Sequence, residues 1–184
     1  MAGTLGGTFQ EPLKAPAKAL NNAKLCVEVG TTGGKGMSDE TAGYDSNNIF
    51  ARILRGEIPS TRVYEDDAVV AFMDVMPQAP GHTLVVPRAP SRNLLDADPA
   101  VLARGIAVVQ RIAVAVKRAF AADGVTVIQF NEAAAGQTVF HLHFHVIPRF
   151  DGVALKPHIG GMERPEVLQA NAEKIRKALA SAGK

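Results

Sequence analysis

The apolar residues of this chain keep two rhythms, and neither is present before residue 47. Residues 1–46 are rich in Gly, Ala, Thr and Lys and carry no sustained apolar period, so they are expected to be mostly disordered. Met37-Ser38-Asp39-Glu40 offers an alternative chain start within them. From Asn47 the pattern tightens. Ile49, Phe50, Ile53 and Leu54 lie on one side of a short helix that Ser46 or Asn47 can cap and Gly56 can end. Alternation then predicts two strands, over 61–65 and 68–74, joined by a tight turn at Asp66-Asp67. Val70, Phe72 and Asp74 share one face of the second strand. A third strand follows the turn at Pro80-Gly81 and runs to Pro87, with His82, Leu84 and Val86 in phase.

The period changes to that of a helix after Asp98-Pro99, a cap followed by a proline at the first helical position. Leu102, Ile106, Val109, Val116 and Phe120 form its apolar stripe, Arg104, Arg111 and Arg118 recur on the solvated side, and Gly124 supplies the stop. Alternation returns over 125–131 and 141–148. A last helix from Pro165 sets Leu168, Ala172, Ile175 and Leu179 on one face. Five strands in hairpin-like succession, with one long helix between the third and fourth, predict an α+β fold. Its five-stranded antiparallel sheet carries a short N-terminal helix and a C-terminal helix. The expected organisation is an extension over 1–46, a domain over 47–150, and a loop and helix over 151–184.

Composition narrows the setting. The chain has 184 residues, 47% hydrophobic and 21% charged, which suits one globular domain with a real core. Its net charge of +2 arises in the first 36 residues, from Lys14, Lys18, Lys24 and Lys35 against Glu11 and Glu28. The remainder is balanced, so no basic patch points to nucleic acid. The single cysteine, Cys26, excludes an internal disulfide and fits a reducing compartment. No run reaches the ~18 apolar residues of a membrane span, and the N-terminus lacks an apolar core with a cleavage site. A cytoplasmic protein, with neither nucleic acid nor a membrane as partner, is the expectation.

The candidate chemistry sits in the last strand. His141, His143 and His145 alternate with Leu142, Phe144 and Val146, so the imidazoles share one face and the apolar residues can enter a core. The interleaving and internal position exclude a tag remnant. A metal site is the rival reading, because His-x-His on a strand chelates well. Residues four apart on a strand stand roughly 13 Å apart, however, so His141 and His145 cannot easily share an ion. Neighbouring carboxylates and cysteines are also missing from the sequence, so no metal or other cofactor is expected. Before the triad, Glu132 to Thr138 is a loop of small residues. Gly136, Gln137 and Thr138 can offer it amide, carboxamide and hydroxyl donors for a phosphate. Asp74, in phase with Phe72, can accept from ribose hydroxyls, although before Val75-Met76-Pro77 it also suits a strand-ending turn. His82 reads as a satisfied core histidine, and His158 as an exposed loop residue.

At the triad the sequence resembles a known family. His141-Leu142-His143-Phe144-His145-Val146-Ile147 is similar to the His-φ-His-φ-His-φ-φ signature of the histidine triad (HIT) nucleotide-binding proteins and hydrolases. Asn48-Ile49-Phe50 through Pro59, Phe72-Met73-Asp74, Pro77 to His82, and Asn131-Glu132 resemble further family landmarks in the same order. The likeness runs from about Asn47 to Arg149. It implies that His143 is a nucleophile forming a nucleotidyl intermediate that water hydrolyses, that His145 contacts phosphate oxygens, and that His141 and His82 support them. It further implies that Thr138 and Gln137 stabilise charge or assist the leaving group, and that Phe50, Ile53, Phe72, Asp74, Asn131 and Gly136 help to bind a purine nucleotide. A homodimer joined across the long helices is also implied, with no metal in the scheme. The N-terminal half resembles the Hint-like phosphoramidase branch. Gln137-Thr138-Val139 and Pro148-Arg149 resemble the fragile-histidine-triad branch, which cleaves dinucleoside polyphosphates. The transferase branch carries glutamine where His145 stands. A regulatory or partner-binding module with slow incidental hydrolysis is the alternative of a different class.

Overall fold

Among the described residues five strands build the sheet: β1 (Arg62–Glu65), β2 (Val69–Met73), β3 (Thr83–Pro87), β4 (Gly124–Ile128) and β5 (Phe144–Arg149). They pair antiparallel throughout, in the order β1-β2-β3-β5-β4. Among the described residues three α-helices accompany them: α1 (Ile49–Leu54), α2 (Pro99–Ala119) and α3 (Pro165–Ser181). The computed structural model describes residues 43–157 and 161–181, within a unit spanning Glu40–Lys184. The disorder expected for residues 1–42, the start at Met37, Cys26 and His158 lie outside the described residues.

Alternation along the strands sorts the side chains onto two faces. Val69, Ala71, Met73, Val85, Phe144 and Val146 point toward α2 and α3, where Val108, Val109, Ile112, Ala115, Val116, Leu168, Ala172 and Ile175 close the larger core. Val70, Phe72, Leu84 and Val86 point the other way and pack on Phe50 and Ile53 of α1. The sheet is therefore covered on both faces near its middle, and α3 belongs to the main core. Leu179 packs at that core's margin.

Local chemistry moves several boundaries. Asn48, not Asn47 or Ser46, caps α1, its side chain accepting from the Ala51 amide. Residues 43–46, expected in the disordered extension, are tied to the domain: the Asp45 carboxylate accepts from the Asn47 amide and its carbonyl from the Asn48 side chain. In α2 the cap at Asp98 and the proline behind it stand as expected. The inward face shares Val109 and Val116 with the stripe read off the sequence, and Leu102 and Phe120 pack at its margin. It runs through Gly105, Val108, Val109, Ile112, Ala115 and Val116, while Ile106 is 54% exposed. Small residues caused the misreading, because Gly105 and Ala115 let α2 sit close to the sheet and carry little hydrophobic signal. Gly105 lies against Phe144 and Pro87. The arginine row is exposed as expected, and two of its members also make contacts. Arg104 pairs with Asp66 and Asp67, and Arg111 stacks over Tyr64 and donates to its hydroxyl, so both dock α2 on the β1–β2 hairpin. α2 has the length and apolar composition of a membrane span, yet its inner face is packed in this core. Gly124 does not stop α2; the helix ends at Ala119, Ala121 takes the positive φ, and Gly124 opens β4.

Gly81 fixes the approach to β3. A Cβ there would lie 2.4 Å from the Phe120 ring, and its φ is +93°, a combination only glycine tolerates. The tight turn delivers His82 to the start of β3, the central strand, beside β5.

Candidate active site

The triad straddles the entry of β5. His145 pairs in the ladder opposite Leu84 of β3 and Ile128 of β4, whereas His141 and His143 precede the strand, held by a Leu142 amide bond to the Ser91 carbonyl. Leu142, Phe144 and Val146 enter the main core as the alternation requires. The histidines occupy the opposite side, as the shared face requires, and are buried there: His141 is 1% exposed and His143 and His145 are each 5% exposed. Segments outside the strand cover them. Phe50 of α1 meets the His143 ring edge-on at 4.9 Å, and Phe130 meets His145 at 5.8 Å.

Backbone groups fix which nitrogens carry protons in the neutral rings. A carbonyl only accepts and an amide only donates, so each such contact selects a tautomer. His143 Nδ1 lies 2.6 Å from the carbonyl of His141 and must donate to it. Its lone pair is then on Nε2. His82 Nδ1 accepts from the Gln78 amide at 3.2 Å, so its proton is on Nε2, which reaches His145 Nδ1 at 2.9 Å. His145 Nδ1 thus accepts, and its own proton is on Nε2. His141 donates from Nε2 to the Pro87 carbonyl at 2.8 Å, and its Nδ1 accepts from the Tyr44 hydroxyl at 2.5 Å. Burial holds His141 below the ordinary histidine pKa, against the opposing effect of the Pro87 carbonyl. The result is a lone pair on His143 Nε2 and an N–H donor on His145 Nε2, on rings 5.0 Å apart.

The expected binding residues separate into two groups. Phe50, Ile53 and Phe72 come together with Val70, Leu84 and Val86 in the apolar cluster beside His143, and Phe50 packs edge-on to Phe72 at 5.7 Å. Asp74 sits at the end of β2, buried. One carboxylate oxygen accepts from the Met76 amide; the other lies 3.5 Å from His82 Nε2 and 3.9 Å from His145 Nδ1. Asp74 therefore closes its strand and also joins the histidine cluster. In the loop before the triad, Gly136 has a positive φ and ends a 3-10 turn at Ala133–Ala135, with Gly136 and Thr138 exposed. Gln137 is a correction. Its carboxamide is buried, accepting from the Glu132 amide and Asn93 and donating to the carbonyls of Arg92 and Val139. Four bonds commit it to bracing the loop, not to offering a donor to phosphate. The Asn131 side chain is likewise engaged, with the Leu94 amide and Gln129.

Several residues of the site were not singled out from the sequence. Arg92 and Asn93 bind Glu132, whose backbone takes φ 66° and ψ 163°, and Arg92 stacks over Phe140. The Arg92 hydrogen bonds hold the Glu132 carboxyl below its usual range. Phe130 continues the alternation of β4 and was legible as such. Tyr44 lay in the stretch assigned to disorder.

The metal expectation also needs correcting in its premise. Among the described residues, Asp74, His82 and His145 bring ligand atoms within 4.8 Å of one another. The triangle they form, with sides of 2.9, 3.5 and 3.9 Å, has a circumradius of about 2.0 Å, the length of a Zn–N bond. Folding supplies the carboxylate that the sequence neighbourhood lacks.

The HIT domain family model matches residues 55–152. A Hit-like protein of Bartonella henselae, whose crystal structure holds an unknown ligand, is 62% identical with a TM-score of 0.70, covering 74% of this chain and 99% of that one. A Zn-bound histidine triad protein of Mycobacterium smegmatis is 36% identical with a TM-score of 0.68, covering 74% and 96%. An adenylylsulfatase of Arabidopsis thaliana is 36% identical over 110 residues, 60% of this chain and 56% of that protein.

Proposed function

Because this chain belongs to the HIT domain family, we propose that it is a nucleotide hydrolase attacking the α-phosphate of a purine nucleoside phosphoramidate or dinucleoside polyphosphate. The observation that carries the reading is the 2.6 Å bond from His143 Nδ1 to a backbone carbonyl, which leaves Nε2 as the nucleophilic nitrogen. Nε2 forms a bond to phosphorus as the bond from phosphorus to the leaving group breaks. The leaving group departs with the electron pair and takes up a proton. Water then attacks the same phosphorus, the P–N bond breaks, the pair returns to Nε2, and the nucleoside monophosphate is released; the proton that the water gives up to solvent balances the one the leaving group took from it. His145, as an Nε2–H donor, stabilises the phosphoryl oxygens while charge builds on them. The apolar cluster of Phe50, Ile53 and Phe72 receives the base, and Asp74 accepts from ribose. Thr138 stands in the exposed loop where a leaving group would pass. Similarity to an adenylylsulfatase adds adenylyl sulfate to the substrate panel, since it differs only in the group leaving the same phosphorus.

The test is turnover by purified protein on an adenosine phosphoramidate, diadenosine polyphosphates and adenylyl sulfate, with His143→Ala alongside. Turnover should vanish in the variant while nucleotide affinity stays within a few-fold. A nucleotidyl mass should appear on the His141–His145 peptide after quenching in base, which spares the acid-labile P–N bond. Hydrolysis retained in His143→Ala, with no adduct, would sink the mechanism. Nucleotide binding without turnover on the whole panel would favour the binding-module alternative.

One observation favours a second reading. The Asp74–His82–His145 triangle has the dimensions of a zinc site, and a relative is Zn-bound. Zinc there would occupy the proposed ribose acceptor and inhibit. Full turnover at saturating zinc, with no bound metal by elemental analysis, removes it.

We also propose the homodimer. β4 ends the sheet with Val127 45% exposed, and α2 presents Ile106 and Val114 outward. These unpaired surfaces are what a second copy would cover.

A further inference from the structure

His141 does not face the reacting phosphorus in the scheme above, yet it is the most completely enclosed of the three triad histidines. Its ring is held from two sides. Nε2 donates to the Pro87 carbonyl at the end of β3, and Nδ1 accepts from the Tyr44 hydroxyl, whose ring meets it edge-on at 5.5 Å. Its backbone carbonyl in turn takes the Nδ1 proton of His143. Tyr44 is anchored where it stands. The next residue, Asp45, binds Asn47 and Asn48 at the cap of α1, and α1 carries the Phe50 ring that touches His143. Burial holds the Tyr44 hydroxyl above its ordinary pKa, so it remains a donor at neutral pH.

We propose that Tyr44 is a positioning residue of the triad: its hydroxyl completes a two-sided clamp on His141, which sets the carbonyl that selects the nucleophilic tautomer of His143. Removing the hydroxyl leaves a buried ring nitrogen that must find another donor or turn away from the Pro87 carbonyl. Either movement shifts the His141 backbone, which then holds the His143 proton less firmly on Nδ1. The 43–46 segment is thus a working part of the site. Its effect falls on the nucleophile and not on the apolar base cluster, so kcat should change and KM should not.

The inference rests on the nucleotide hydrolase reading for its kinetic arm only. Nitrogen-15 NMR of the histidine rings tests it with no substrate present. In the wild-type protein, His141 should show a single neutral tautomer protonated at Nε2, and His143 a single one protonated at Nδ1. Tyr44→Phe keeps the ring contact and removes only the hydroxyl. It should leave the melt cooperative, turn the His143 signals into a tautomer mixture, and lower kcat about 3- to 10-fold, the worth of one net hydrogen bond, with KM within two-fold. Tyr44→Leu, which also removes the aromatic contact, should do no less. A Tyr44→Phe protein with a single His143 tautomer and kcat within two-fold of wild type overturns the proposal. A wild-type His141 protonated at Nδ1 overturns it without any variant. If the wild type turns over nothing in the panel, the hydrolase reading fails, and the NMR result still decides the clamp.

Discussion

Gln137 offers the sharpest contrast between what the sequence implied and what the fold assigns. As a donor to phosphate, its loss would weaken substrate binding and leave stability untouched. In the structure it is buried and makes four hydrogen bonds, two into each end of its carboxamide. Gln137→Met keeps the length and most of the volume while removing every one of them. At about 0.5–1.5 kcal/mol net per bond, and with the Glu132 amide and two carbonyls left to find water, the cost should be about 3 kcal/mol. Glu132 raises that figure, since its unusual backbone (φ 66°) persists only while neighbours enforce it. Urea denaturation followed by circular dichroism would report the loss as a lower midpoint at unchanged slope. In heat it corresponds to roughly 6–12 °C for a domain of this size. A variant within about 0.5 kcal/mol of wild type, but with weakened nucleotide binding, would refute the bracing role and restore the phosphate contact.

Other expectations are simpler. Ile175→Ala, at a fully buried position where α3 joins the main core, should cost about 2–5 kcal/mol; a change under about 0.5 kcal/mol in the same denaturation assay would show that α3 is not part of the cooperative unit. Stability should fall with acidification from about pH 6.5. Folded His141 has a depressed pKa, so the unfolded chain takes the proton first and the native state is penalised by up to about 1.4 kcal/mol per pH unit until folded His141 titrates. His141→Gln should flatten that slope between pH 7.5 and 5.5, and an identical slope would assign the acid sensitivity elsewhere. Light scattering at micromolar concentration should give twice the 19.4 kDa chain mass; a clean monomer would remove the proposed pairing over β4 and α2.

How much of this was legible depended on whether a residue's partner lies in its own periodic element. The strands, the Asp98-Pro99 start of α2 and the buried face of α3 were readable, because caps and alternation are local. Most strand ends came out long by one to three residues, where side-chain phase continues after the ladder has stopped, while the start of β4 and the end of β5 were each one residue short. The stripe of α2 was right at Leu102, Val109, Val116 and Phe120 and wrong at Ile106, and it missed Gly105 and Ala115, which are buried by close approach of the backbone and to which a hydrophobic count is blind.

The site followed the same division. That three imidazoles share a side was visible, but their protonation was not, since it is set by the carbonyls of Pro87 and His141 and the amide of Gln78. No side-chain pattern encodes a backbone acceptor. The carboxylate judged missing from the triad arrives from β2 as Asp74, and the expected phosphate donor Gln137 is consumed by Arg92 and Asn93 from the segment after β3. Tyr44 fell to a composition argument: a Gly- and Ala-rich extension reads as disordered on average, and averaging hides one tyrosine at its edge. Selecting a tautomer at each ring needs fixed backbone partners from several elements. The sequence could therefore nominate His143, while only the fold could say which of its nitrogens carries the lone pair.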